Sequence, residues 1–325
     1  MTLVRRSLWV AVLLWIAKMV LPVRNEASAQ GAASVAFVVE EKDLVPEGIA
    51  YDPQTRQFFL SSINKHKVVV VDRALRHSDF VRSNQDGMLR SLGLKVDVRR
   101  RRLWVLSNAA SMSFVHVFDI DTRRLLASLS PSVDGEHLLN DLALAGDGSA
   151  YITDSRGSGL FHVPAALDRL ELFVGADSLL AGVNGISISS DESFLYVASE
   201  SNGLQIVDIG TRSIRAMENW LAADTRGIDG LMLYENSLVA VRNGASDPRR
   251  HHLTRYRLSA NGREIRSTSI IDHRNPVFNV PTTGVIVDGH LFCLAVTNLD
   301  LFLGAKMAEV DQLRNPVVLR YRLER

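Results

Sequence analysis

A strand-like segment that starts at a small residue recurs six times along this chain. The recurring residues are Gly48, Gly93, Asp141, Gly185, Gly230 and Gly284, and they lie 44 to 54 residues apart. Periods of about 40 to 50 residues are typical of repeats that each form one four-stranded propeller blade. Each unit continues with two further segments rich in apolar and β-branched residues. The sequence therefore predicts an all-β fold, a six-bladed β-propeller, whereas a β-sandwich would not repeat a strand start at this interval.

The last repeat ends on its third strand, which begins at Val317. The apolar segment Val35 to Glu40, just before the first repeat, is available as the missing fourth strand. We therefore expect an N-terminal strand to join the last blade and close the ring, since closure removes an open sheet edge. On this interpretation residues 30–325 form a single propeller domain.

The first 29 residues differ from the rest. Arg5 and Arg6 precede an apolar run from Leu8 to Val23, and Ala27-Ser-Ala29 offers a cleavage site of small residues. This pattern is typical of a secretory signal peptide, so the sequence predicts export to the periplasm or outside the cell. An uncleaved anchor is the alternative, although the run is short for a membrane span and Lys18 interrupts it.

The charge composition argues against a nucleic-acid partner. The 37 Lys and Arg residues balance the 36 Asp and Glu residues with both signs interspersed, so no nucleic-acid partner is expected. The longest charge run, Arg99 to Arg102, falls in a turn of blade two opposite the strand starts, and we expect it to be solvated.

Cys293 is the one cysteine, which excludes an intramolecular disulfide, and its apolar strand predicts a buried, inert thiol. We expect a monomer that binds a small molecule.

Four of the six strand starts carry an oxygen ligand. Because the first strands of a propeller line its central channel from one face, these side chains converge, and they are Glu47, Asn140, Asn184 and Asp229. Two carboxylates and two amides, with no Lys or Arg expected among them, suit Ca²⁺, with Zn²⁺ or Mg²⁺ as alternatives. An incomplete protein shell favours a catalytic metal over a structural one. Polar residues at strand starts are, however, also favoured by turn geometry alone.

The ordered pairs Glu47-Gly, Asn140-Asp, Asn184-Gly and Asp229-Gly resemble the gluconolactonase/regucalcin (senescence marker protein) family of six-bladed propellers. The set is also similar to that of the related paraoxonases, and the resemblance covers roughly residues 34 to 325. It implies a central divalent cation bound by those four residues, hydrolysis of lactones or related esters, and Asp229 as base or nucleophile.

Two positions depart from these families. Leu138 stands where sugar lactonases carry an Arg, which favours a less polar ring or ester. Gly48 stands where paraoxonases place a second acid, so a second metal is not expected.

Further residues are predicted around the mouth of the channel, because second strands end on the same face. The predicted substrate-binding residues are Leu138, Asn108, Asp154, Glu200, Arg242 and Thr283, with Ser62, Asn64, Asn243 and Asn298 also at the rim. His137, in the loop before a ligand-bearing strand, is a candidate proton shuttle. The loop from Leu299 to Asn315, with a short helix after Gly304, is a candidate lid.

Two functions follow from these features. The first is an exported metal-dependent hydrolase of lactones or esters. The alternative is a non-catalytic propeller with a structural cation that binds a metabolite or a partner protein, since propellers host both kinds of function.

Overall fold

The computed structural model describes residues 33–243, 248–303 and 309–324, which contain six four-stranded antiparallel sheets. The strands are β1 Ser34–Val38, β2 Ile49–Asp52, β3 Gln57–Ser62, β4 Lys67–Val71, β5 His77–Val81, β6 Arg90–Asp97, β7 Arg102–Asn108, β8 Ser113–Asp119, β9 Leu125–Leu129, β10 Leu139–Leu144, β11 Ala150–Asp154, β12 Gly159–Val163, β13 Glu171–Val174, β14 Val183–Ile188, β15 Phe194–Ser199, β16 Gly203–Asp208, β17 Ile214–Ala216, β18 Ile228–Tyr234, β19 Ser237–Arg242, β20 His252–Leu258, β21 Ile265–His273, β22 Gly284–Val287, β23 His290–Val296 and β24 Val317–Arg322. The helix α1 spans Leu299–Leu303, and short 3-10 turns lie at Lys42–Leu44, Gln85–Gly87, Ser178–Leu180, Pro248–Arg250 and Val310–Gln312.

Each sheet is one blade, and the blades form a closed ring. The first strands β2, β6, β10, β14, β18 and β22 contact one another in that order, and β22 contacts β2. Blade six is completed by β1, which pairs antiparallel with β24, so that Ser34 lies opposite Arg320 and Val38 opposite Val317. The predicted six-bladed propeller and its closure by an N-terminal strand are both confirmed. The predicted signal peptide, residues 1–29, lies outside the described residues.

Within the described residues, six apolar clusters lie between neighbouring blades, one at each junction. The middle strands are therefore covered on both faces, which is why Val68 to Val71 are all buried and apolar without alternation. At the closing junction Phe37 of β1 and Phe292 of β23 pack against Phe58 of β3 with tilted rings, whose centroids lie 5.1 and 5.0 Å from that of Phe58. Burial raises the pKa of the Cys293 thiol, in the cluster between blades five and six, well above its usual range.

The arginine run between β6 and β7 is not the solvated turn that the sequence predicts. Arg101 donates to both carboxylate oxygens of Asp52 in blade one, at 2.7 and 3.0 Å. Arg100 donates to the carbonyl oxygens of Gly146 and Asp147 in blade three. The prediction was wrong because the turn sits between two neighbouring blades and Asp52 is fully buried, so its charge requires a partner. The run fastens blade two to both neighbours.

Replacing Arg101 by Ala should reduce the free energy of unfolding by about 3 kcal/mol at pH 7, because Asp52 is left buried without its partner. Burial raises the pKa of Asp52, but hydrogen bonds from Arg101 and Thr55 outweigh it and leave that pKa below its ordinary value. The contribution is therefore present above the unfolded-state pKa and lost as pH falls through the folded-state pKa. Denaturant unfolding at pH 7 and pH 3 should show a large difference that shrinks in acid. Arg99→Ala, which removes only a 3.5 Å contact to Gly146, is the control, and an equal loss in both variants would contradict the assignment.

No helix among the described residues is long and apolar enough to cross a membrane.

Candidate metal centre in the central channel

The predicted ligands lie at the starts of four first strands. Glu47 precedes β2 by two residues, Asn140 lies in β10, Asn184 in β14 and Asp229 in β18. A cavity of about 10 Å³, roughly the space of one water molecule or ion, lies between these strands. Its lining includes Glu47, Asn184, Asp229 and Thr283, together with Lys95 and Asp141. Asn140 is buried directly before Asp141 but is not part of this lining.

Glycines bring these strand starts unusually close together. A Cβ atom on Gly48 would lie 2.4 Å from the carbonyl oxygen of Leu92 in the next blade. A Cβ on Gly185 would lie 2.4 Å from the carbonyl oxygen of Asp229, and one on Gly230 would lie 2.4 Å from the Thr283 hydroxyl. The glycines after Glu47, Asn184 and Asp229 therefore permit contact between neighbouring blades at the channel.

Three of the predicted ligands lie at β-bulges. The pairing of first and second strands shifts between Leu139 and Leu142, between Val183 and Ile186, and between Ile228 and Leu231. Each shift encloses one ligand and the residue after it. A β-bulge bends its strand and redirects side chains, and such bulges are common beside active sites.

Two buried oxygen atoms at this site have no hydrogen-bond partner among the described residues: Oε2 of Glu47 and Oδ1 of Asn140. Asn140 donates from its amide nitrogen to the Ser155 hydroxyl at 2.8 Å, which leaves its oxygen as the unused group. Buried polar atoms are nearly always paired, because an unpaired one costs about 1–3 kcal/mol. Two unpaired acceptors in one channel fit an oxygen-binding cation.

The remaining carboxylate is held by amides. Asn243 donates a short hydrogen bond to Oδ2 of Asp229, and the Asn184 side chain also hydrogen-bonds it. Burial raises the pKa of Asp229 to about 7, against those two hydrogen bonds, and the charge of Asp141 raises it further. Burial likewise raises the pKa of Glu47 well above its ordinary value, as do the charges of Asp229 and Asp141, whereas Lys95 lowers it. Burial and the neighbouring carboxylates therefore disfavour the charged form of both acids in the cation-free protein.

The donor chemistry suits a hard divalent cation. Carboxylate and amide oxygens are the ligands that Ca²⁺ prefers. In the part of the chain that the structure describes, no group of three or more His, Cys, Asp or Glu side chains is arranged to hold a metal ion. A cation here would therefore depend on the asparagine oxygens beside the two carboxylates.

Lys95 is a site residue that the sequence reasoning missed. Its ammonium lies 2.8 Å from Oδ1 of Asp141, and both residues line the cavity. The expectation that no Lys or Arg stands among the acids was wrong. The available signal was a lysine inside a first strand, where a charge faces either the channel or a neighbouring blade.

The side chains of several predicted rim residues are hydrogen-bonded to neighbouring loops and strands. Asn108 exchanges two hydrogen bonds with the backbone of Leu139, and Arg242 binds Asp224 and His252. Of the predicted substrate-binding set, Thr283 lines the cavity and the other five residues are not part of its lining. Of these five, Leu138 is partly exposed and Glu200 is exposed. Their substrate contacts stay predictions.

His137 is engaged within the rim itself. Its Nδ1 lies 2.6 Å from Oδ2 of Asp154, and its Nε2 lies 3.2 Å from the carbonyl oxygen of Val133. Asp154 also accepts from the backbone of Leu138 and Gly157, so it organises this loop. The proton-shuttle role of His137 stays a prediction.

In the candidate lid, a helical segment lies before Gly304, and the short helix predicted after Gly304 falls partly on residues that the structure does not describe. The segment before Gly304 is the five-residue helix α1, and a 3-10 turn at Val310–Gln312 follows. The intervening residues 304–308 lie outside the described part of the chain.

The fold and the site together define a class: six-bladed propellers with an oxygen-rich site where the first strands meet. The chain belongs to the SMP-30/Gluconolactonase/LRE-like family, whose profile matches residues 45–239, more than half of the chain. No curated protein sequence matches it significantly.

Solved structures share the fold at low sequence identity. A gluconolactonase from Xanthomonas campestris is 15% identical over 92% of each chain, with a TM-score of 0.61. Regucalcin from Agrobacterium tumefaciens, described as a calcium-binding protein, is 16% identical over 89% of this chain and 94% of its own, with a TM-score of 0.60. A PQQ-bound aldose sugar dehydrogenase from Streptomyces coelicolor is 12% identical over 89% of this chain and 98% of its own, with a TM-score of 0.62. At these identities the likeness shows the fold alone.

Proposed function

We propose that this protein is an exported metal-dependent hydrolase of lactones or related esters. A divalent cation, Ca²⁺ in the first instance, would be held by Glu47, Asn140, Asn184 and Asp229. The observation that carries the proposal is that Oε2 of Glu47 and Oδ1 of Asn140 are buried without a partner among the described residues, while Asp229 lines the same cavity as Glu47. Family membership supports the lactone class. Export rests on the sequence pattern of residues 1–29.

The chemistry divides between the cation and the chain. A bound cation would polarise a substrate carbonyl and stabilise the negative charge that develops on its oxygen. Asp229 is hydrogen-bonded by Asn184 and Asn243, and its carboxylate would accept a proton from the attacking water. Because the cavity has room for about one ion or water, substrate would bind at its mouth, on the face of the strand starts.

Metal content and activity on a panel of substrates test the proposal together. The purified protein should contain about one equivalent of divalent cation and hydrolyse lactones or aryl esters. A chelator should abolish the activity, and Ca²⁺ should restore it. A protein that binds the cation but hydrolyses none of the panel would support the non-catalytic propeller instead.

Cation binding should weaken in acid. Because the pKa of Asp229 is raised to about 7 in the cation-free protein, a proton occupies the site below that pH and must be displaced. We expect Ca²⁺ affinity at pH 6 to be at least about tenfold weaker than at pH 8, since one group of pKa 7 changes its protonation across that range. Calorimetric titration at both values measures this. Equal affinities would show that neither raised carboxyl is a ligand.

Leu138 should disfavour sugar lactones. An unpaired ring hydroxyl buried against leucine costs about 1–3 kcal/mol. We therefore expect kcat/KM to be higher for alkyl lactones or aryl esters than for gluconolactone, and Leu138→Arg to narrow or reverse that ratio. Leu138→Met, which stays apolar, is the control. A tenfold wild-type preference for gluconolactone, about 1.4 kcal/mol, would show that this position does not set the choice.

A further inference from the structure

A third acid and one ammonium group share the channel with the predicted ligands. In blade three Asp141 occupies the place that Gly48, Gly185 and Gly230 occupy after the other ligands. Its side chain is buried, 10% exposed, and lines the same cavity as Glu47 and Asp229. The cavity therefore faces three carboxyl groups, one more than the two expected to bind the cation.

Lys95 reaches Asp141 from the neighbouring blade. A Cβ on Gly93, two residues earlier in β6, would lie 3.1 Å from Oδ1 of Asp141, so the two strands are in close contact beside this carboxylate. The ammonium of Lys95 lies 2.8 Å from that oxygen, and the Lys95 side chain is 28% exposed. The backbone N–H of Leu142 donates to the same oxygen at 2.8 Å. Asp141 is thus satisfied without any added ion.

We propose that the ammonium group of Lys95 pairs with Asp141 and thereby keeps this third carboxylate from binding a divalent cation. This inference rests on the proposed function, because it concerns the same site. With Lys95 in place the three carboxylates and one ammonium carry a net charge of −2, which one divalent cation neutralises. Without it Asp141 becomes a free oxygen donor and a repulsive positive charge disappears. The lysine acts on the cation through Asp141 and is a positioning residue.

Calcium titration of four forms of the purified protein tests this inference. The wild type should bind one Ca²⁺ per chain, and Lys95→Met should either bind a second or bind the first at least tenfold more tightly. Lys95→Arg, which keeps the charge, should stay within threefold of wild type. The double variant Lys95→Met/Asp141→Asn should also return to within threefold, because the freed carboxylate has been removed.

The outcomes separate this inference from the proposed function. A Lys95→Met protein within threefold of wild type, or a gain that persists in the double variant, overturns the role of Lys95. A wild type that binds no Ca²⁺ overturns the proposed function; if Lys95→Met then binds Ca²⁺ and the double variant does not, the role of Lys95 stands. If no form binds Ca²⁺, both fail. Melting curves of each form confirm folding, and Lys95→Gln replaces Lys95→Met should the latter not fold.

Discussion

Replacing Asp229 by Asn, or Glu47 by Gln, should weaken Ca²⁺ binding at least 100-fold while the propeller remains folded. Each change removes one of the two carboxylates expected to hold the cation, and 100-fold corresponds to about 2.7 kcal/mol. The amides match the acids in size. Because burial raises the pKa of both acids, an uncharged side chain is tolerated at both positions. We therefore expect the cation-free variants to melt at or above the melting temperature of the cation-free wild type at pH 8.

Calorimetric titration, with melting curves with and without Ca²⁺, distinguishes loss of the site from loss of the fold. Asp168→Asn is the matched control, since Asp168 is an exposed acid in the loop between β12 and β13, outside the cavity lining. The control should bind like wild type. Wild-type affinity in both channel variants would mean that these carboxylates do not bind the cation.

Deleting residues 30–41 should remove the outer strand of blade six and cost most of the protein's solubility. The deletion exposes the edge of β24, which is otherwise paired with β1, and opens the apolar cluster that contains Phe37 and Phe58. Loss of Phe37 alone should cost about 3–5 kcal/mol. We expect any soluble fraction to melt at least about 10 °C below the protein that begins at residue 30. Cooperative melting at the unchanged temperature would contradict a stabilising role for ring closure.

Phe37→Ala separates the packing contribution of β1 from its hydrogen bonds. This variant keeps the strand and its pairing with β24 but removes the ring that packs against Phe58, at a distance of 5.1 Å between the ring centroids. Its melting temperature should fall between those of the intact and the truncated proteins. Val35→Ala, at a position 57% exposed, is the matched control and should change stability little.

The sequence was sufficient for the fold because the repeat is a property of the whole chain. Six strand starts at similar intervals determine the number of blades, and the incomplete last repeat determines how the ring closes. That Glu47, Asn184 and Asp229 line one cavity was predictable for the same reason, because equivalent positions in different blades must lie on the same ring. These conclusions depend on spacing and not on the environment of any one side chain.

The contacts of Lys95 and of the arginine run could not be predicted from this spacing. The pairing of β6 and β7 shifts between Ser91 and Leu94, so counting alternate positions from the start of β6 does not give the face on which Lys95 lies. Arg101 binds a carboxylate 49 residues away in another blade. Both contacts depend on the distance between neighbouring blades, which a pattern within one repeat does not contain. His137 illustrates the same limit, since its pairing with Asp154 depends on the shape of a loop.

The glycines beside the channel bear on how such a protein can diversify. Gly48 and Gly185 each lie against a main-chain carbonyl of the next blade, so a change of side chain in that blade cannot make room for a larger residue. The diameter of the channel is therefore fixed by the backbone, independently of which ligands line it. Over evolution a ligand could be exchanged, or the cation abandoned altogether, without rebuilding the ring. If a distant relative keeps these glycines, this indicates only that the propeller ring is intact. Whether the relative also keeps the cation site depends on the residue before each glycine.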